Sequence, residues 1–272
     1  MSRVCTRHRA RCIFCGRMSA DVAADTAVES CAGPLLELVN VSKSFERDCE
    51  VLHSVSFRVF PGDCVVLAGA NGSGKTVLMN ILAGLEPPSS GRVYMARGTT
   101  VGLAFQNADT QILGETVFED CAFGPLQWGY SRAEIDARTN SALAAVSLLD
   151  RRDHYARALS GGEKRRLTVA GVLALDAKVV ILDEPFANLD YPSVRQVVQL
   201  IISLKHAGKT LVIIAHEVEK ILAAATRLCI LSKGVISYDG TPQDALDSKI
   251  FSCYGLRDPL HCPRTLSDLL WT

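Results

Sequence analysis

Eight residues, Gly69 to Thr76, constrain this chain more than any other stretch: Gly-Ala-Asn-Gly-Ser-Gly-Lys-Thr. They fit the phosphate-loop pattern in full. The apolar run Cys64 to Ala68 before them reads as a short buried strand, and Val77 to Leu85 after them reads as the helix leaving the loop. That succession predicts an α/β core. Gly69, Gly72 and Gly74 permit backbone conformations that a β-carbon forbids, so the N–H groups of the loop, through Ala70, Asn71 and Ser73, can turn inward around an anion. Lys75 is placed to reach β- and γ-phosphates, the Thr76 hydroxyl to ligate Mg2+, and the positive end of the helix adds to both.

Further along, Leu159-Ser160-Gly161-Gly162-Glu163 precedes a helical run from Lys164 to Leu175. A Ser-Gly-Gly turn at a helix N-terminus is a second anion-binding device. The basic run Lys164, Arg165 and Arg166 is expected as a solvated helix face, with partner contacts as the lesser alternative. Val179 to Leu182 reads as a buried strand ending in Asp183 and Glu184. An acid at such a strand tip, beside a phosphate loop, holds the Mg2+ shell, and this is the expected role of Asp183. Glu184 is the expected base for the attacking water, a role that contributes roughly 10²- to 10⁴-fold. Asn188, Leu189 and Asp190 follow, then a helix from Ser193 to Ala207 and a strand from Thr210 to Ile214 that delivers His216 to the γ-phosphate side. Gln106 closes a strand from Thr100 to Phe105, where its amide suits Mg2+ or the water. Phe45 lies between strands Leu35–Val41 and Val51–Val59, as a surface for an adenine ring or as a turn anchor.

With 272 residues, 48% of them hydrophobic, the chain can bury a large core. Lys plus Arg and Asp plus Glu both number 29, so no overall charge points to nucleic acid or anionic lipid. The apolar tract Leu167 to Leu182 is broken by Asp176 and Lys178, which argues against a bilayer span. The ten cysteines are expected as reduced thiols in a cytosolic setting, with binding to a membrane partner open. Residues 1–33 read as an appended tail. Cys12 and Cys15, with His8 nearby, make half of a zinc site, and Cys5, Cys31 and the alternative start Met18 lie in the same tail. Residues 34–245 read as the nucleotide-binding domain, with a helical part at about 107–176, and 246–272 as a second tail carrying Cys253, Cys262, Pro259 and Pro263. Helices are expected from Arg132 to Leu149 and beyond His216 through Ala225, and a strand pair from Leu228 to Tyr238 around Gly234.

Phosphate loop, Gln106, Leu-Ser-Gly-Gly-Glu, Asp183-Glu184, Asn188-Leu189-Asp190 and His216, in that order, resemble the ATP-binding cassette (ABC) ATPase family from about residue 35 to 245. The resemblance implies a P-loop NTPase core with an antiparallel β-subdomain and an inserted α-helical signature subdomain. It also implies ATP and Mg2+ as cofactors, Phe45 stacked on adenine, Asp183 holding Mg2+, Glu184 as general base and His216 as γ-phosphate sensor. Phe105 to Gln111, Glu119 to Leu126, Gly161 to Arg166 and Ala170 to Ala174 resemble the energy-coupling factor subgroup, the cobalt, nickel and biotin uptake ATPases. Ala108 stands where that subgroup often has proline and Phe45 where tyrosine is common. The implied partners are a transmembrane scaffold protein, a substrate-capturing membrane protein and a second cassette, at the cytoplasmic face of the membrane, with no nucleic acid. The competing reading is a non-transport ABC ATPase acting on nucleic acid or another macromolecule. A coiled-coil insertion of the DNA-repair kind does not fit in the 83 residues between Lys75 and Leu159.

Between Gln106 and Tyr130, Ile112, Leu113, Phe118, Phe123 and Trp128 mix with Asp109, Glu115, Glu119 and Asp120. That mixture predicts a groove with an apolar floor and an acidic rim, suited to a short basic helix of a membrane protein.

Overall fold

The structure is a computed structural model that describes residues 33–45 and 49–260. The cysteines, His8 and Met18 of the first 32 residues lie outside the described residues, as do Cys262 and Pro263. The chain runs β1 (Leu36–Ser44), β2 (Glu50–Val59), β3 (Cys64–Ala68), α1 (Lys75–Leu82), β4 (Ser90–Met95) and β5 (Val101–Ala104). It continues through α2 (Ala108–Gln111), α3 (Val117–Gln127), α4 (Arg132–Ala145) and α5 (Gly161–Ala174) to β6 (Val179–Asp183), α6 (Tyr191–His206), β7 (Thr210–Ile214), β8 (Arg227–Ser232), β9 (Val235–Gly240) and α7 (Pro242–Asp247).

Among the described residues, these strands form two sheets. β2, β1 and β4 pair antiparallel in that order, with buried side chains alternating along β1 and most of β2. The larger sheet has the order β5-β6-β7-β3-β8-β9, parallel except for the antiparallel edge strand β9. β3, β5, β6 and β7 are buried along their whole length, as strands covered on both faces must be. Their alternation divides two cores: Val65 and Leu67 face α1 and the antiparallel sheet, while Cys64, Val66 and Ala68 face α5 and α6.

Helices α3, α4 and α5 pack on one another as the inserted helical region. Each starts at a capping box, in which a Thr116, Ser131 or Ser160 hydroxyl accepts from the third helical N–H and Glu119, Glu134 or Glu163 reaches back. No helix among the described residues is long and apolar enough to cross a membrane.

Three expectations change. The helix expected through Ala225 is two single 3-10 turns, Val218–Lys220 and Leu222–Ala224, separated at Ile221, whose φ of −136° is not helical. The helix from Arg132 ends at Ala145 rather than at Leu149: Ser147 takes φ +57° and Leu149 is left exposed. The cassette does not stop at 245, since Phe251 and Leu256 are buried in the helical-side core.

Candidate nucleotide site

Strand register brings the predicted residues to one end of the large sheet. Leu67 of β3 pairs with Ile214 of β7, Ile214 with Asp183 of β6, and Leu182 with Ala104 of β5. The loop after β3, the Asp183–Glu184 tip, His216 and Gln106 therefore all leave the carboxyl ends of adjacent parallel strands, where ligands of open α/β sheets bind.

The phosphate loop is a backbone structure. Gly74, at φ +101°, is the N-cap of α1, and a β-carbon there would fall 2.8 Å from the Leu52 side chain. A β-carbon on Gly69 would lie 2.2 Å from the carbonyl oxygen of Leu231. Neither position admits a side chain. Ser73 is buried with its hydroxyl unpartnered, while its carbonyl accepts from Gly234 N at 3.2 Å. Lys75 is 8% exposed and donates to the carbonyl oxygens of Gly69 (2.8 Å) and Ala70 (3.0 Å). Burial lowers its pKa, and the charges of Glu184 and Asp183 oppose that shift.

Burial pushes the Asp183 carboxyl up to about 6, with the neighbouring Glu184 charge adding to the rise and Arg165 and Lys75 opposing it. Glu184 sits at φ +44°, and its N–H donates to the carbonyl of Ile214 at 3.0 Å. This turn directs the carboxylate to His216, whose Nδ1 lies 2.7 Å from Glu184 Oε2. Gln106 is exposed at the end of β5. Thr76 is exposed at the start of α1. Phe45 is 57% exposed, with Lys43 Nζ 5.1 Å from its ring centroid, so it stands as an aromatic platform rather than a core anchor.

The second anion-binding turn has other neighbours. A β-carbon on Gly162 would meet Ser193 Oγ at 2.5 Å, and one on Gly161 would touch Leu189 at 3.7 Å. Asp190 caps α6 by accepting from Ser193 N at 3.1 Å. Ser160 and Glu163 are engaged with each other: Ser160 N donates to Glu163 Oε2 at 2.8 Å.

The basic run is not a solvated face. Arg165 and Arg166 are 5% and 9% exposed. Arg165 Nη1 donates to Phe105 O at 2.6 Å, Arg166 Nε donates to Val146 O at 3.1 Å, and a second Arg166 nitrogen donates to Gln196. The signal lay in the helix period, since Arg165 shares a face with Val169 and Val172. The expected groove is narrower than its residue types suggest. Ile112 is buried, and Phe118 lies beneath the Arg152 guanidinium at 4.4 Å. Trp128 pairs with the Tyr130 ring. Asp120 accepts from Leu113 N and Gly114 N, and Glu119 closes the cap of α3. What remains is a recess between α3 and α5 lined by Leu113, Phe123, Gly124, Gly171 and Leu175. Asp109, bound to Lys164 at 2.7 Å, and Glu115 are exposed nearby in sequence.

A glycine-built cradle with a buried lysine, facing an acid pair across parallel strands, defines a P-loop nucleotide-hydrolysing protein. The model of the ABC transporter family matches residues 52–187, and the chain belongs to that family as one of its ATPases. The Cobalt import ATP-binding protein CbiO of Rhodobacter capsulatus is 38% identical over 248 residues, spanning 86% of this chain and 89% of that protein. The Energy-coupling factor transporter ATP-binding protein EcfA of Methanococcus maripaludis is 32% identical, over 83% of this chain and 86% of its own. Among solved structures, cbiO1 of Clostridium perfringens, part of the ABC transporter complex cbiONQ, superposes with a TM-score of 0.74 at 26% identity, over 84% of this chain and 96% of that one. The cassette MJ0796, a dimer bound to ADP and phosphate, gives 0.67 at 26% identity, over 76% and 98%.

Proposed function

We propose that this chain is the ATP-hydrolysing subunit of a membrane importer of the energy-coupling factor type, taking up a metal ion or vitamin. It sits at the cytoplasmic face of the membrane on a transmembrane scaffold protein that works with a substrate-capturing membrane protein. The relatives named for cobalt import and for energy coupling support this reading. The observation that carries it is the pairing of one phosphate cradle, at Gly69–Thr76, with a second anion-binding turn, at Ser160–Gly162, whose neighbours are Leu189 and Ser193. One chain has no need of two cradles for one triphosphate. Two cassettes placed head to tail about a two-fold axis let each turn complete the other's loop.

In that arrangement the loop N–H groups from Gly69 to Gly74, with Lys75, bind and orient the phosphates, Phe45 carries the adenine, and Ser160 to Glu163 and Asp190 of the opposite cassette close over the γ-phosphate. Glu184 takes the proton of the attacking water, and His216, already on its carboxylate, holds that carboxylate in place. The Thr76 hydroxyl, the Asp183 carboxylate and the Gln106 amide are hard oxygen donors, and burial disfavours the Asp183 charge unless a cation offsets it, a set that fits Mg2+. Bound there, Mg2+ would neutralise charge on the β- and γ-phosphates.

Sedimentation of Glu184→Gln with and without Mg-ATP tests the reading. The variant is expected to dimerise only with Mg-ATP and to hydrolyse at least about 100-fold more slowly than the wild type. A monomer at saturating ATP would sink the head-to-tail arrangement.

A further inference from the structure

Arg165 lies at the junction of two devices that the proposed function keeps separate. It is five residues, or about 7.5 Å of helix rise, along α5 from the Ser160 cap. Its side chain reaches the chain segment that follows β5 and carries Gln106. Nη1 donates at 2.6 Å to the carbonyl oxygen of Phe105, the residue directly before Gln106. Nε is buried without a partner. Burial works against the guanidinium charge, and the carboxylates of Asp183 and Glu184 favour it. Burying a guanidinium is unfavourable unless charge and hydrogen bonds offset it, and here the offsetting groups are the site's own acid pair and the Phe105 carbonyl.

The same residue is held from its other side. Phe105 N donates to Gln111 Oε1 at 2.9 Å, and Gln111 Nε2 donates to Leu103 O at 3.0 Å. On the α5 side, Thr168 Oγ1 donates to Arg165 O at 2.8 Å. Phe105 is therefore tied by its N–H to α2 and by its carbonyl to α5, and the next residue is Gln106.

We propose that Arg165 is a positioning residue that locks the Phe105–Gln106 backbone to α5, so that displacement of the Ser160 turn by the opposite cassette's nucleotide is transmitted to Gln106 of the same chain. This rests on the reading of Gln106 as part of the nucleotide site. Any movement of α5 carries the Phe105 carbonyl with it, because the tie is short, charge-assisted and buried.

The test is a double-variant cycle on the full chain, reading kcat and KM for ATP together with the affinity for a fluorescent ADP analogue. Arg165→Gln is expected to lower kcat about tenfold or more through misplacement of Gln106, with KM and ADP affinity within about threefold of the wild type. Arg165→Lys, which still donates to the Phe105 carbonyl, is expected to recover most of that loss. Because both residues act through one geometry, Arg165→Gln with Gln106→Ala is expected to be no slower than Gln106→Ala alone. Multiplying losses in the double variant, or a wild-type kcat in Arg165→Gln, would overturn the proposal. Should Arg165→Gln fail to fold, the same cycle run with Arg165→Met, an apolar side chain of similar length that cannot donate to the Phe105 carbonyl, decides, and independent losses there count against the proposal. If Gln106→Ala and Lys75→Ala both turn over normally, the site reading itself falls and the proposal with it. If those two are impaired while Arg165→Gln is not, the proposal alone falls.

Discussion

Lys75 contributes a buried cation to a loop whose other donors are neutral N–H groups, so Lys75→Ala removes the charge that a triphosphate needs. Nucleotide affinity, measured by titration calorimetry, is expected to fall below detection, and wild-type affinity would make the loop decorative. Phe45 acts on a different part of the ligand. Phe45→Ala is expected to weaken ATP binding on the order of tenfold, as loss of one base stack does, while leaving inorganic triphosphate binding unchanged. Equal losses for both ligands would reassign Phe45 to holding the loop. Lys75 was legible in the sequence because it belongs to a contiguous motif, whereas Phe45 was singled out only through the family resemblance. Arg165 was misread, because charge in a helix ordinarily marks a wet face; the helix period that sets it beside Val169 and Val172 signalled burial, but its partners, Phe105 O and the acid pair, are set by the tertiary fold. The contact of Glu184 with His216 was half legible: both strand ends were read, but their 2.7 Å approach depends on the parallel register of β6 and β7.

Elements were easiest to read where burial was uniform. The strands β3, β6 and β7 have a single pattern, and their expected limits agree with the observed ones to within a residue. After His216 the pattern misled, because Val218, Ile221 and Leu222 have helical spacing yet all turn onto the core through 3-10 turns. The loop entering α3 supplies a test of its own. Asp120 accepts from Leu113 N at 2.7 Å and Gly114 N at 3.0 Å, but burial outweighs those bonds and raises its pKa above the ordinary carboxylate value. In the window between the unfolded and the raised folded value, the unfolded chain gives up the proton first, so this group's contribution to stability declines as pH rises and then levels off. Asp120→Asn cannot titrate. Its stability relative to the wild type is expected to increase from acid to neutral pH, as read from urea midpoints. A constant difference across that range would contradict the shift.

At the scale of the whole molecule, the recess between α3 and α5 is where the proposed importer would contact its membrane partner. Asp109→Lys with Glu115→Lys reverses exposed charge in the stretch entering α3 without touching Lys75, Asp183 or Glu184. ATP hydrolysis by the isolated chain is expected to stay near normal while recovery of the membrane complex is lost. Intact assembly and transport would remove the acidic rim from the account. The placement of β3 has a further consequence, for the order in which the molecule is made. This strand lies between β7 and β8, and the wall behind its loop is the Leu231 carbonyl and the Gly234 N–H. The phosphate loop is synthesised well before its support: the strand neighbours of β3 follow it by 147 positions (Cys64 to Leu211) and 162 positions (Val65 to Arg227) in the chain. Until then β3 is an apolar strand with two open edges. A nascent cassette is therefore exposed to mispairing during most of its synthesis, and its ability to bind nucleotide comes late and all at once.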